Sequence, residues 1–266
     1  MSIFEQAIAY FTEQGVSRGV AITYLIVSAL IAIMVIVVLV MRIYLIIAYH
    51  DGNTKQTKSG KTSSQVAREA LDKAGLKHIQ VKKAGFFRAF FIGNCYSITQ
   101  KTIFLRKGIY DKSTVTAVAL ALQKVGVAKM CEEGNAMTRT RNIMQILSLV
   151  GPILFVPVVA LGFVLDIVLF HVFGVFSIVG IAVGFVLIFA GLVSTLLTLP
   201  VEKKANDMAL KTINETGVLT SDEIEITKKV FKAYIVSYVC EFIVAVLRIV
   251  QIILEIVMNA QINSKN

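Results

Sequence analysis

The residues that could bind a metal ion are grouped around one segment of the chain. Cys131, Glu132 and Glu133 are adjacent, and Glu202 follows later, so together they offer thiolate and carboxylate donors that zinc accepts. Neighbouring residues on a helix point in different directions, so Glu132 and Glu133 would not face one ion. The histidines all lie elsewhere in the sequence: His50, His78 and His171. A metal site at Cys131 and Glu202 is therefore only a weak alternative.

A second group of charged residues lies in an apolar segment near the end of the chain. Glu241, Arg248 and Glu255 recur every seven residues and form a charged stripe. Charges at membrane depth are usually paired inside a helix bundle or mark a functional path. We favour pairing, either with Asp166 or Arg42 or with a span of another protein, over an ion path.

These residues belong to a chain that is too apolar for an ordinary soluble domain. Of its 266 residues, 56% are hydrophobic and 17% are charged, whereas soluble domains carry about 25% charged residues. The sequence therefore predicts an integral membrane protein. Four apolar segments reach the roughly 20 residues that a spanning helix needs, and we place them at 20–47, 145–170, 173–199 and 232–258.

The basic residues predict the orientation of these spans. The segment Tyr49–Asn142 holds 17 Lys and Arg against 6 Asp and Glu, and basic residues near span ends are retained on the cytoplasmic side. We therefore expect a multi-pass protein of the plasma membrane with most of its soluble part in the cytoplasm. Residues 48–144 and 200–231 are then cytoplasmic, whereas residues 1–19 and the tail 259–266 lie outside.

The membrane alone explains the positive charge. No aromatic-interleaved basic motif or zinc-finger spacing accompanies it, so nucleic-acid binding is not expected. Lysines beside a span attract anionic headgroups, which makes the lipid bilayer the expected partner. The cysteines show no spacing typical of a disulfide framework: Cys95, Cys131 and Cys240.

Capping signals predict three helices in the cytoplasmic parts. Capping boxes begin helices after Thr62 and Thr220, and an Ala-rich helix runs from a Ser113-Thr114 cap to Gly134. A further helix, Val201–Glu215, is expected after the third span. Together with the spans, these helices make the predicted fold mostly helical.

Two short strands are predicted between the helix that begins after Thr62 and the Ala-rich helix that begins at Ser113-Thr114. β-rich residues favour strands at Lys77–Lys83 and Thr102–Leu105, with an aromatic loop, Gly85–Tyr96, between them. At the N-terminus, Ser2–Gln14 has an apolar helical stripe, typical of an interfacial or a solvated helix.

Several motifs occur in an order typical of one family. They are Ala67-Arg68-Glu69-Ala70-Leu71-Asp72, Gly75-Leu76, then Thr102, Leu105, Gly108, Tyr110, Val125-Gly126 and Thr198-Leu199-Pro200-Val201-Glu202. Through this order, from about residue 20 to residue 257, the chain resembles the YugP-type bacterial membrane neutral zinc metallopeptidases. The resemblance implies a peptidase-like cytoplasmic domain between spans one and two.

The resemblance also implies where a zinc site would lie, and there the sequence departs from the family. The family's Ala-rich helix carries His-Glu-x-x-His, with two zinc ligands and a general base. The matching positions are Gln123, Lys124 and Val127, which cannot supply these roles. A later His position corresponds to Cys131, and the third ligand corresponds to Glu202, which is retained.

Glu202 is expected to need a positive charge in place of zinc. An unpaired buried carboxylate is costly, so we predict that Lys124 or another nearby cation pairs with it. Without the resemblance, Gln123 and Lys124 would be the polar face of an amphipathic helix, and Glu202 a solvated helix start. Of an Asp-His-Tyr-Asp-like stretch in the family, only Tyr96 is kept.

The predicted protein has four membrane-spanning helices and a small cytoplasmic α/β metallopeptidase-like domain. We expect a catalytically inactive homologue, a pseudoprotease without a cofactor, that binds an unfolded client or regulates an active related protease. One alternative is a zinc metallopeptidase with other ligands, or one completed by a partner subunit. A second alternative is a lipid-binding or transport protein.

Overall fold

The computed structural model describes residues 2–170 and 174–264, which are mostly helical. The helices are α1 (Ile3–Glu13), α2 (Arg18–Thr54), α3 (Ser63–Lys73), α4 (Phe86–Phe91), α5 (Lys107–Tyr110), α6 (Val115–Glu132), α7 (Ala136–Phe170), α8 (Val175–Thr216) and α9 (Ser221–Asn263). The strands are β1 (Gln80–Lys83), β2 (Cys95–Ser97) and β3 (Thr102–Leu105). His171 and the centre of the predicted link between spans two and three lie outside the described residues.

The chain divides into two compact units, and unit 1 joins the two ends of the sequence. It comprises residues 1–44 and 236–266, that is α1, most of α2 and the last part of α9. A small apolar core contains Val16, Ala21 and Met258. The backbone N–H of Ser17 donates to Gln261 Oε1 at 2.9 Å, which ties the start of α2 to the end of α9.

Unit 2, residues 45–235, is built around helix α6. The Thr114 side chain caps α6 by accepting from the Ala117 N–H, and the positive φ of Gly134 follows its end, as the sequence predicts. Nearly every residue of α6 is buried, among α3, the sheet and α8. A polar side chain on this helix must therefore find its partner inside the protein.

The sheet lies beside α6 and has the order β1-β3-β2. β1 runs parallel to β3, with Val81 opposite Ile103, and β2 runs antiparallel to β3, with Tyr96 opposite Ile103. Both predicted strands are present, but the aromatic loop Gly85–Tyr96 is instead the short helix α4 followed by β2. β2 places Tyr96 against the core.

Helices α6 and α8 approach each other closely at a glycine. A Cβ atom added to Gly126 would lie 3.0 Å from the Ala205 carbonyl oxygen, so only glycine allows this separation without movement of the backbone. The contact brings the middle of α6 against the segment of α8 that follows Pro200. This crossing positions the site described below.

Helix α8 is continuous where the sequence predicts a span and then a separate helix. Pro200 lies inside it, and the helix ends only at Gly217, which has a left-handed φ of 61°. Proline has no backbone N–H, so the helical hydrogen bond to the Leu196 carbonyl is missing, a loss that apolar helices tolerate. The third predicted span and the Glu202 segment therefore belong to one continuous helix.

Two helices among the described residues are long and apolar enough to cross a membrane. They are Arg18–Thr54 and Ile178–Thr216, and a shorter apolar stretch, Pro157–Val168, lies within α7. α7 and α9 contain the other two predicted spans, 145–170 and 232–258. The count of four spans and their orientation stay predictions.

Candidate functional site

The candidate site lies where α6, α8 and the start of α7 meet. Gln123 and Lys124 come from α6, Glu202 and Asn206 come from successive turns of α8, and Arg141 comes from α7. All five side chains are buried. The structure thus brings together three of the residues singled out from the sequence, namely Gln123, Lys124 and Glu202.

Glu202 is held by two cations. Lys124 Nζ lies 3.1 Å from Glu202 Oε1 and 3.2 Å from Oε2, and Arg141 Nη2 lies 2.6 Å from Oε1. The Glu202 side chain is fully buried, and those of Lys124 and Arg141 are only 10% and 9% exposed. The predicted ion pair between Lys124 and Glu202 is confirmed. We call these three residues the Glu202 cluster.

The pKa values in the Glu202 cluster follow from burial and charge. Burial by itself raises the pKa of Glu202, but the charges of Lys124 and Arg141 hold it below its usual value. Burial lowers the pKa of Lys124; the Glu202 charge opposes this, and the Arg141 charge adds to it. Glu202 is therefore ionised, and Lys124 is the cation that loses its proton more readily.

Arg141 was missed as a partner of Glu202 by sequence reasoning, which used it only as a marker of membrane orientation. Its Nη1 also donates to Asn142 Oδ1 at 3.2 Å, so the guanidinium is fixed on the surface of α7 that faces α8. No local spacing signals such a contact, because 61 residues separate Arg141 from Glu202. The available signal was the need of a buried carboxylate for charge.

Gln123 forms a second polar contact between α6 and α8. Its Nε2 donates to Asn206 Oδ1 at 2.6 Å, one helical turn beyond Glu202. Both amides are buried, so this bond replaces water for each of them. Gln123 and Lys124 thus fasten the same two helices, rather than forming a solvated face of α6.

The later positions of α6 contribute no charge to this cluster. Val127 is buried in the apolar core. Cys131 is also buried, its Sγ accepts a weak bond from Asn142 Nδ2 at 3.6 Å, and burial raises the pKa of its thiol to about 11. The neutral thiol is a poor metal ligand, because binding requires the thiolate.

Glu132 is the centre of a second charged cluster that the sequence did not reveal. Tyr96 Oη donates to Glu132 Oε1 at 2.7 Å, and Lys101 Nζ lies 2.6 Å from the same oxygen. His78 Nε2 lies 3.2 Å from Oε2. Burial raises the pKa of Glu132, but hydrogen bonds from Lys101, Tyr96 and His78 outweigh this and lower it to about 2.

An apolar cavity of about 90 Å³ adjoins Tyr96. Its lining comes from three elements: Arg88 and Ile92 in and after α4, Ser97 and Ile98 in and after β2, and Asn142 and Ile143 at the start of α7. Asn142 connects the cavity to the Glu202 cluster, because it lines the cavity and its side chain accepts a hydrogen bond from Arg141.

Two residues of the charged stripe of α9, Glu241 and Glu255, have partners on α2 within unit 1, and Arg42 is one of the predicted partners. Arg42 Nη2 lies 3.5 Å from Glu241 Oε1, and Tyr24 Oη lies 3.3 Å from Glu255 Oε1. Arg248 Nη1 donates to Gln251 Oε1 at 2.9 Å. Asp166, the other suggested partner, accepts from the backbone N–H groups of Gly174 and Phe176 at 3.0 Å and thus caps α8.

Comparison with known proteins gives one family over most of the chain. A family model described as "Putative neutral zinc metallopeptidase" matches residues 25–257. The "Putative membrane protease YugP" of Bacillus subtilis (strain 168) is 25% identical over 203 residues, which cover 75% of this chain and 82% of that protein. No solved structure matches the chain.

The family description corrects one expectation from the sequence. We expected no cofactor, but the description of the family names zinc, which is therefore the cofactor that membership implies. The cluster residues do not fit zinc, because Glu202 is already bound by Lys124 and Arg141. Among the residues that the structure describes, no group of three or more His, Cys, Asp or Glu side chains could hold a metal ion.

The family match covers far more than half of the sequence and includes both α6 and the Glu202 segment of α8. The resemblance found in the order of the sequence motifs is thereby confirmed, and the chain belongs to this family of neutral zinc metallopeptidases.

Proposed function

We propose that this protein is a membrane-embedded, non-catalytic member of its family that binds an unfolded client. The observation that carries the proposal is the Glu202 cluster. Peptide hydrolysis requires a group that activates water and a charge that polarises the carbonyl. At the positions that the resemblance assigns to catalysis, the carboxylate and both cations instead satisfy one another inside the protein.

The cluster supports a structural role for the positions that the resemblance assigns to the family's zinc motif. Lys124, Glu202 and Gln123 with Asn206 connect α6 to α8, and Arg141 connects α7 to α8. Buried charges of this kind are costly to break and therefore fix one arrangement of helices. We infer that these contacts maintain the shape of the cavity beside Tyr96.

The cavity supports client binding. Apolar pockets with a few polar groups are typical binding sites, and apolar side chains of a bound protein commonly fill such pockets. Ile143, on its rim, is 53% exposed, so an apolar segment of a client would bury it further. Four spans and a cytoplasmic location for the cavity are part of the proposal, supported by the basic charge of Tyr49–Asn142.

The test uses the full chain in lipid nanodiscs and a fluorescently labelled, permanently unfolded model protein. We expect binding without cleavage, and about a tenfold weaker affinity after Ile143→Asp, because a charge enters an apolar contact. Met137→Asp is the matched control, since Met137 is on the same helix, is 47% exposed and does not line the cavity. Ser97→Phe, which fills the cavity, should have the same effect as Ile143→Asp.

Two outcomes would contradict the proposal. Cleavage of the model protein by the purified native chain would show that the protein is a peptidase. Equal affinities for the native chain, Ile143→Asp and Ser97→Phe would show that the cavity does not bind the client.

A further inference from the structure

Helix α4 exposes a cluster of phenylalanines. Phe86, Phe87 and Phe90 are 79%, 76% and 69% exposed, and Phe91 is 46% exposed. The rings contact one another, with centroid distances of 5.7 Å for Phe86 to Phe87 and 4.9 Å for Phe90 to Phe91. We call these four residues the Phe cluster. A contiguous aromatic surface of this kind marks a site of interaction rather than a solvated face.

The Phe cluster is held in place by the opposite face of the same helix. The Arg88 guanidinium lies 3.7 Å from the centroid of the Phe104 ring on β3, and Arg88 Nη1 donates to Gln100 Oε1 at 3.0 Å. These contacts anchor α4 to the sheet. The phenylalanines are therefore displayed outward by a helix that is fixed on its inner side.

The position of α4 in unit 2 is next to a predicted membrane boundary. Arg88 and Ile92 line the same cavity as Asn142 and Ile143 of α7. The predicted second span begins at residue 145, immediately after these residues of α7. Helix α4 therefore lies near the start of that span, where the headgroup region of a bilayer is predicted.

The surrounding charge fits an anionic lipid surface. Residues 73–110 contain eight Lys and Arg and no Asp or Glu. Lys82 lies shortly before α4, and the Arg106 guanidinium lies against Gly93, which follows it, whereas Lys83 is paired with Asp111 at 2.6 Å. Basic side chains next to apolar rings are typical of segments that bind the interface of an anionic leaflet.

We propose that α4 is an interfacial membrane anchor, in which the Phe cluster enters the boundary between headgroups and acyl chains of an anionic leaflet. The flanking basic residues bind lipid phosphates, and the anchor holds the cavity beside Tyr96 close to the membrane surface. This inference rests on the membrane placement in the proposed function. It does not depend on client binding or on the absence of catalysis.

The chain contains no tryptophan, so one introduced tryptophan reports on one position. Three variants of the full chain would be reconstituted in vesicles of phosphatidylcholine with phosphatidylglycerol: Phe90→Trp in the Phe cluster, Lys211→Trp on the exposed side of α8, and Ile36→Trp in α2. Lys211 is 78% exposed in its side chain and lies in the predicted aqueous part of α8, and Ile36 is 63% exposed within a predicted span.

We expect emission from Phe90→Trp to be blue-shifted relative to Lys211→Trp and to lose about half of its intensity when the lipids are brominated near the top of the acyl chain. The loss should be smaller in vesicles of phosphatidylcholine alone. Emission from Lys211→Trp should be unaffected by the brominated lipids.

The Ile36→Trp variant separates the two possible failures. If its emission is not quenched by lipids brominated near the end of the acyl chain, which reach the middle of a span, the proposed membrane placement is wrong, and the anchor fails with it. If Ile36→Trp is quenched but Phe90→Trp behaves like Lys211→Trp, the anchor alone is wrong. A blue shift of Phe90→Trp that needs added unfolded protein, and not lipid, would assign the Phe cluster to a protein partner and would also overturn the anchor.

Discussion

In the Glu202 cluster, the three buried charges do not cancel. One carboxylate lies between two cations, so removal of Lys124 leaves a neutral pair, whereas removal of the Glu202 charge leaves two buried cations side by side. The lowered pKa of Lys124, caused by burial and by the Arg141 charge, agrees with this imbalance. The two ends of the same ion pair should therefore respond differently to mutation.

Glu202→Gln should lower the free energy of unfolding by about 3–5 kcal/mol at pH 7, and Lys124→Met should lower it by less than about 2 kcal/mol. Raising the pH should reduce the loss of unfolding free energy caused by Glu202→Gln, because Lys124 then loses its proton. The measurement is thermal or denaturant unfolding in detergent. Glu215→Gln is the control, since Glu215 is exposed on the same helix. Equal losses for Glu202→Gln and Lys124→Met would contradict the imbalance.

Glu132 should make the stability of the protein dependent on acid. Its pKa falls from an ordinary value near 4.5 to about 2 in the folded protein, so its stabilising effect is complete above about pH 5 and is lost as the pH falls toward 2. Glu132→Gln should cost about 1–2 kcal/mol at pH 7, after allowance for solvent screening. The difference in unfolding free energy between Glu132→Gln and the native chain should disappear as the pH falls from 5 to 2.

The matched control for Glu132 is its neighbour. Glu133 is more exposed and forms only a 3.9 Å ion pair with Lys129, so Glu133→Gln should have little effect at any pH. If the cost of Glu132→Gln did not change with pH, the role of Glu132 would be packing rather than charge.

Among the helices and strands, the sequence predicts the elements whose boundaries are set by local signals. The caps at Thr62 and Thr114 and the stop at Gly134 place α3 and α6 correctly. Helix α4 was missed because aromatic residues favour strands and loops, whereas Arg88 stabilises this helix through the distant ring of Phe104. Such non-local contacts leave no periodic signal in the sequence.

The candidate site could likewise be predicted only in part from the sequence. The pairing of Lys124 with Glu202 could be predicted from charge compensation, but Arg141 and the Glu132 cluster could not. Each depends on which elements meet in the fold: Arg141 reaches Glu202 from α7, and Tyr96 reaches Glu132 from β2. Tyr96 was singled out only through the family resemblance, which says nothing of its partner.

The end of α2 should tolerate no side chain at Gly52. An added Cβ would lie 2.3 Å from Thr116 Oγ1 on α6, which is buried and donates to Tyr49 O. Gly52→Ala should destabilise unit 2 by about 1–3 kcal/mol, because an overpacked core must shift. The cost should be smaller in a Thr116→Ser background, where the methyl group is absent and the hydroxyl can rotate. Gly19→Ala, with open space around it, is the control for unfolding in detergent.

Helix α6 allows a direct test of the correspondence with the family motif. The triple change Gln123→His, Lys124→Glu and Val127→His places two imidazoles one turn apart beside Glu202. We expect zinc content by mass spectrometry to rise by about one ion per chain relative to the native protein. The pair Gln123→Ala and Val127→Ala is the control for disturbance of the helix. No increase would contradict the assignment of these positions.

For the whole molecule, the testable quantity is the side of the membrane on which each segment lies. Cysteines at Gln14 and Ser264 should react with an impermeant maleimide in intact cells, because both termini are predicted to be outside. Cysteines at Lys73 and Lys211 should react only after permeabilisation. The native chain, whose cysteines are buried or half-buried, is the control. Reaction of Lys73→Cys in intact cells would contradict the predicted orientation.

The order of Lys124, Arg141 and Glu202 along the chain has a consequence for biogenesis. The two cations are synthesised first, and their shared counter-ion is synthesised 61 residues after Arg141, on the far side of the α7–α8 hairpin. While the nascent chain lacks Glu202, Lys124 and Arg141 repel each other and stay hydrated, so α6 has no reason to bury them. We therefore expect unit 2 to consolidate only after α8 has been synthesised. If α7 and α8 insert as the predicted membrane hairpin, the Glu202 cluster couples the folding of unit 2 to that insertion.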